Sequence, residues 1–124
     1  MTPVKLAVVG LGLIGSRHAE LIRTTSACRL VGVCDIDSGR KGIAGRLEVP
    51  FFQDIGAMLE RERPSGVIVA TPSAHHVEAM ELCSSRGIHA LIEKPIANTM
   101  ESAQRIVELS ASAGTRVLVG HHRR

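Results

Sequence analysis

An apolar segment, Lys5–Gly10 (KLAVVG), runs directly into Gly10-Leu11-Gly12-Leu13-Ile14-Gly15, and a helix-patterned stretch follows to about Thr24. Apolar on both faces, KLAVVG reads as a buried parallel strand. Three glycines at GxGxxG spacing between strand and helix then restrict what the turn can do. Gly10 permits a tight turn, Gly12 lets a ligand approach the backbone, and Gly15 lets the helix pack closely on the strand. The first helical turn, around Leu13, Ile14 and Gly15, offers free N–H groups and a partial positive charge. Gly10, Gly12, Leu13, Ile14 and Gly15 are therefore expected to hold the pyrophosphate of a dinucleotide. A glycine-rich turn that merely links strand to helix is the plainer alternative, and flavoproteins and methyltransferases use similar turns.

The alternation continues along the chain. Leu30–Asp35 (LVGVCD), Val49–Phe52, Val67–Ala70 (VIVA), His89–Glu93 (HALIE) and Val117–Gly120 read as strands, with Pro50 limiting the second of these to a strand start or an edge. Helices are expected from Asp37 or Ser38 to about Arg46, over Ile55–Arg63 with Asp54 as cap, over Val77–Arg86 with Gly87 at its end, and over Met100–Ala113 closed by Gly114. Ile14, Leu21 and Ile22 should face the sheet from the first helix. On the last helix Met100, Ala103, Val107 and Ala111 share one face, with Ile106 flanking it. Asn98 with Glu101 resembles a capping box there, although Thr99 is an alternative cap. This order predicts an α/β fold, a doubly wound parallel sheet of about six strands with helices on both faces and right-handed crossovers. With 124 residues the chain accommodates one domain, so residues 1–124 are expected to form a single Rossmann-type unit.

An acidic residue belongs about 20 positions beyond such a motif, at the end of the second strand. Asp35 stands there, 20 positions after Gly15. Its carboxylate can accept hydrogen bonds from an adenosine ribose and repels a 2′-phosphate, which favours NAD over NADP. Arg40 and Lys41 lie just beyond that strand, where a basic side chain could still hold a phosphate.

Composition narrows the remaining classes. Hydrophobic residues make up 44% of the chain and charged ones 22%, a globular balance. No apolar run approaches the ~20 residues of a membrane span, and Met1-Thr2-Pro3-Val4-Lys5 has no signal-peptide anatomy, so a cytoplasmic protein is expected. Cys28, Cys34 and Cys83 are odd in number and lack metal-ligand spacing; no metal and no disulfide framework are expected, and all three read as buried spectators. The net charge of +3 comes from scattered basic residues, and Phe51 and Phe52 are the only aromatics. Without a stacking platform or a basic stripe, neither nucleic acid nor a membrane is expected as a partner.

Two further clusters carry a resemblance. Ala70-Thr71-Pro72-Ser73-Ala74-His75-His76 and Glu93-Lys94-Pro95 each begin at the carboxyl end of a strand, where open α/β sheets bind ligands. Together with the glycine turn they closely resemble the Gfo/Idh/MocA oxidoreductases, from about Val4 to the closing Gly120-His121-His122-Arg123-Arg124. The resemblance implies that Thr71 and Pro72 form the loop beneath the cofactor and that His76 matches a histidine recurring nearby. Lys94 matches the family's lysine near the nicotinamide and the substrate hydroxyl, and Glu93 the residue that helps fix the nicotinamide ribose. Pro95 shapes this turn, and Arg123 matches a residue facing the cofactor near a domain junction.

Family members carry a second domain that contacts a small-molecule substrate and supplies an acid/base histidine; this chain stops before it. The resemblance thus implies the cofactor-binding domain of a dehydrogenase for a sugar, cyclitol or related alcohol, with Lys94 catalytic in the full-length enzyme and little activity in this chain alone. A non-catalytic NAD-binding sensor on the same scaffold is the alternative. Loss of the second domain should expose apolar surface and favour a homo-oligomer, through the edge of the last strand.

Overall fold

The computed structural model describes residues 2–93 and 99–120. Strand β1 (Val4–Val9) leads through the glycine turn into helix α1 (Leu13–Thr24) and back to β2 (Cys28–Cys34). A 3-10 turn, Ser38–Arg40, runs into α2 (Lys41–Leu47), followed by the two-residue β3 (Phe51–Phe52) and α3 (Ile55–Glu62). The second half contains β4 (Gly66–Val69), a 3-10 turn at Ser73–His75 continuing into α4 (His76–Ser84), β5 (His89–Glu93), α5 (Met100–Ala113) and β6 (Val117–Gly120). All strand pairs are parallel, in the order β3-β2-β1-β4-β5-β6. This is the Rossmann order, and the expected fold class is the observed one.

The period of two along each strand divides the core into two layers. Ala7 and Val9 of β1, Val67 and Val69 of β4, and Ala90 and Ile92 of β5 face Met58, Leu59, Met80, Cys83 and Ile106 from α3, α4 and α5. Val8 and Ile68 point the other way, onto Ala19, Ile22, Ala44 and Leu47 from α1 and α2. In β2 the parity breaks. The register jumps from Leu6↔Leu30 to Ala7↔Gly32, leaving Val31 as an extra residue. That bulge puts Val31 and Cys34 in one layer and Leu30 and Val33 in the other.

Local chemistry sets the ends of the helices. Asp54 caps α3 by accepting from the Ala57 N–H at 2.8 Å, as its position suggested. Thr99 caps α5 by accepting from the Ser102 N–H at 3.0 Å, which decides against the Asn98–Glu101 box; Asn98 itself lies outside the described residues. Gly114 closes α5 as expected, whereas α4 ends at Ser84 with Ser85 as its cap, two residues short of Arg86, and Gly87 (φ +69°) turns the chain just beyond it.

Two helix faces differ from the expectation. In α1 the inward stripe is Gly15, Ala19 and Ile22, with Ile14 half-buried and Leu21 exposed. In α5 Ile106 is the buried residue, with Leu109 half-buried beside it, while Met100 and Val107 are exposed. At ~100° per residue the expected and observed stripes of α5 lie roughly 120° apart. The observed one carries Ser102 and Ser110, which a count of apolar residues passes over. Both serines bond locally, Ser102 to Thr99 and Ser110 to the Thr115 carbonyl, so they tolerate an inward face. Cys34 and Cys83 are buried as expected, but Cys28 is only half-buried.

Candidate functional site

The chain moves outward from β1 to β2 and β3, then returns to β4 beside β1. Ligands in open α/β sheets bind at such a switch point, outside the carboxyl ends of the strands. A cleft of about 830 Å³ lies there, walled by the glycine turn, the end of β2, the Ala70–Pro72 loop after β4, and Glu93 at the end of β5.

Each glycine of the turn has a separate steric reason. Gly10 has φ +92°, and a Cβ on it would lie 2.8 Å from the Ala70 carbonyl carbon. A Cβ on Gly15 would lie 1.7 Å from the Gly10 carbonyl oxygen, so α1 sits against the turn as closely as a bare backbone allows. Gly12 is different: a Cβ there would meet nothing within 4 Å, because it would stand in open space on the cleft side. Gly12 is also the N-cap of α1, with no side chain to cap it and no acidic residue in the first turn. Ile14 lines the cleft, while Leu13 is exposed and does not.

Asp35 ties this turn to β2. Its Oδ2 accepts from the Leu11 N–H at 2.7 Å and its Oδ1 from the Asp37 N–H at 2.9 Å. Each carboxylate oxygen keeps a further lone pair for a ribose hydroxyl in the cleft. Asp37 and Arg40 stand at the same end, 3.8 Å apart and well exposed.

On the other side of β1, Thr71 and Pro72 line the cleft. The Thr71 hydroxyl oxygen is buried without a hydrogen-bond partner among the described residues. His76 does not line the cleft. It is 1% exposed, and its Nε2 donates to the Thr71 carbonyl at 2.8 Å, fixing the loop from below. His75 lines the cleft instead. Glu93 closes the far end, and its Oε1 accepts from Nε2 of His18 on α1.

The sequence reading passed over several cleft residues. Ile36, Ile55 and Glu78 share the walls with the residues it singled out. Ile36 follows a strand-end acid directly, a position that opens onto the same crevice, so its place was within reach; His18 gave no such sign. Cys34 also lines the cleft, but burial first, then the charges of Asp35 and Asp54, push its thiol up to about 12. It stays protonated near neutrality and is no nucleophile. No three His, Cys, Asp or Glu side chains converge on a metal site among the described residues.

These features fit a dinucleotide. The space beside Gly12 admits a phosphate against the start of α1, Asp35 offers acceptors to a ribose, and the Thr71 hydroxyl has no partner among the described residues and is open to one from a ligand.

Residues 4–121 match the oxidoreductase family with an NAD-binding Rossmann fold, designated Gfo/Idh/MocA. The chain belongs to that family. It is 32% identical to an inositol 2-dehydrogenase of Rubrobacter xylanophilus, over 98% of this chain and 36% of the relative. A solved structure from Desulfitobacterium hafniense, described as an NADPH-dependent oxidoreductase, superposes with a TM-score of 0.90 at 30% identity, covering 98% of this chain and 35% of that one. The WlbA dehydrogenase of Bordetella pertussis, solved with NADH and UDP-GlcNAcA, also gives 0.90, at 26% identity over 96% of this chain and 37% of that one. The chain thus spans little more than a third of these relatives. Of the residues that the Gfo/Idh/MocA resemblance singles out, Lys94, Pro95 and Arg123 lie outside the described residues.

Proposed function

We propose that residues 1–124 form the NAD-holding domain of a dehydrogenase that moves hydride between nicotinamide and a hydroxyl of a sugar, cyclitol or related alcohol. A further domain, outside these residues, would choose the substrate. The observation that carries this reading is the single cleft running from Asp35 past the glycine turn and Thr71 to Glu93. Acceptors for a ribose stand at one end of it, free helix N–H groups in the middle and Glu93 at the other.

NAD⁺ supplies the hydride acceptor. The chain's own residues bind and orient it: Gly10, Gly12, Leu13, Ile14 and Gly15 seat the pyrophosphate, Asp35 the adenosine ribose, and Thr71 and Pro72 the middle of the molecule. His76 acts through the Thr71 carbonyl. Glu93 would help fix the nicotinamide ribose, Lys94 would steady developing charge on the substrate oxygen, and Arg123 would meet the cofactor near the junction with the second domain. A histidine of that domain would take the hydroxyl proton.

NAD is favoured over NADP because Asp35 and Asp37 put two carboxylates where a 2′-phosphate would stand, with Arg40 drawn toward Asp37. We also infer a cytoplasmic protein that acts on small molecules and self-associates, with no nucleic-acid or membrane partner. Among the described residues no helix is long and apolar enough to cross a membrane, and exposed Met100 and Val107 on α5 and Leu118 on β6 offer apolar contacts. Calorimetric titration of the chain with NADH and NADPH tests the core of the reading. NADH should bind at least about tenfold more tightly, roughly 1.4 kcal/mol. Tighter NADPH binding overturns the role given to Asp35, and binding of neither overturns the whole.

A further inference from the structure

One close polar contact stands apart from the direct ligand-binding groups. His18 donates from Nε2 to Oε1 of Glu93, across 75 positions of sequence. The two side chains are only 26% and 13% exposed, so the pair is shielded from the competition with water that weakens surface contacts. His18 lies four residues beyond Ile14, on the same face of α1 and one turn farther from its N-terminus. Glu93 is the last residue of β5 and lines the cleft. The contact therefore links the helix whose first turn faces the cleft to the strand end at the cleft's far side.

We propose that His18 is a positioning residue that holds the Glu93 carboxylate toward the second ribose of the dinucleotide. The inference rests on the NAD reading and adds a residue to it. Asp35 at the end of β2 sets where the adenosine lies, and the glycine turn at β1 sets the pyrophosphate. The sheet order then sends the other nucleoside across β4 to β5, where Glu93 stands. A glutamate side chain has three rotatable bonds and would sample several rotamers at a cleft edge. Anchoring Oε1 on His18 leaves Oε2, for which the described residues offer no donor, to accept from the ribose hydroxyls. Fixing one flexible side chain in advance is worth about three- to tenfold in affinity.

The test uses two ligands that share the adenosine diphosphate half. NADH reaches Glu93, whereas ADP ends at the glycine turn. In calorimetric titrations, His18→Ala should weaken NADH about three- to tenfold and leave ADP within about twofold of wild type. His18→Gln, whose amide can still donate to Glu93, should recover most of the loss. In a Glu93→Ala background, His18→Ala should have no further effect. Unchanged NADH affinity in His18→Ala overturns the proposal, and so does a parallel loss for ADP, which would mark a general disturbance of α1. Additive losses in the double variant overturn it as well. If the wild-type chain binds neither ligand, the NAD reading fails and this one with it; if wild type binds and His18→Ala is silent, only this one fails.

Discussion

The three glycines of the turn look equivalent in sequence, yet they should respond to alanine in opposite ways. At Gly12 the backbone is extended, with φ −69° and ψ −167°, a conformation open to any residue, and a Cβ would touch nothing within 4 Å. Restricting the unfolded chain by a glycine-to-alanine change stabilises by about 0.4–1 kcal/mol where the native conformation is compatible. Alanine is a poorer N-cap than glycine, at a cost of similar size. The two effects offset, so Gly12→Ala should change folding stability by less than about 1 kcal/mol.

At Gly15 the added carbon would lie 1.7 Å from the Gly10 carbonyl oxygen, and α1 would have to retreat by more than an ångström from a turn it also helps to close. That should cost about 3 kcal/mol or more, a large part of a typical domain's stability. Binding should not follow this ranking. The Gly12 methyl would occupy the space beside the start of α1 where a phosphate must come, so NADH binding should fall below detection in a protein as stable as wild type. Urea unfolding followed by circular dichroism measures the stability. Enhancement of NADH fluorescence measures binding, and no tryptophan or tyrosine is present to interfere. Gly12→Ala binding NADH like wild type, or losing as much stability as Gly15→Ala, would refute the assignment of separate roles.

Two other changes test the scaffold. Cys34 and Cys83 are buried with thiols pushed up to about 12 from 9.0, chiefly by desolvation. The raised folded-state values mean that their contribution is complete below about pH 9 and is lost as pH climbs toward 12, by up to ~1.4 kcal/mol per pH unit for each thiol. Urea midpoints of wild type should therefore fall more steeply over that window than those of Cys34→Ala/Cys83→Ala, and parallel slopes would count against buried neutral thiols. His76→Ala removes a fully buried ring and its hydrogen bond to the Thr71 carbonyl, so it should destabilise by about 2–4 kcal/mol in the same assay, with weaker NADH binding; a loss under 1 kcal/mol would contradict the role given to the ring.

The parts of this fold that were legible in the sequence are those whose cause is local. The glycine turn could be read because Gly10 takes φ +92° and a Cβ on Gly15 would strike the Gly10 carbonyl oxygen, both local demands, while the Ala70 loop adds a distant one at Gly10. Asp54 and Gly114 are legible for the same reason, since a cap or a left-handed helix end concerns a few neighbouring residues. The inward face of α5 was misread because the neighbour it packs against decides the matter. Hydrophobicity alone pointed to Met100 and Val107, but packing on α4 selects Ile106, with serines at its sides that bond locally.

The site divides along the same line, with one instructive difference. Asp35 contacts Leu11 across 24 positions, hardly a local pair, yet it was found. The reason is that one helix and one strand separate them, and their lengths are set by the geometry of a βαβ unit, which makes the spacing predictable. His18 and Glu93 are joined through the order of the sheet: α1 packs beside β1, β4 lies next to β1, and β5 beside β4. Several elements of variable length intervene, so no fixed spacing in a sequence announces that pair. What the chain does announce is the set of residues at strand ends. Those strand ends point to Glu93, and it takes the folded order of the sheet to bring His18 of α1 against it.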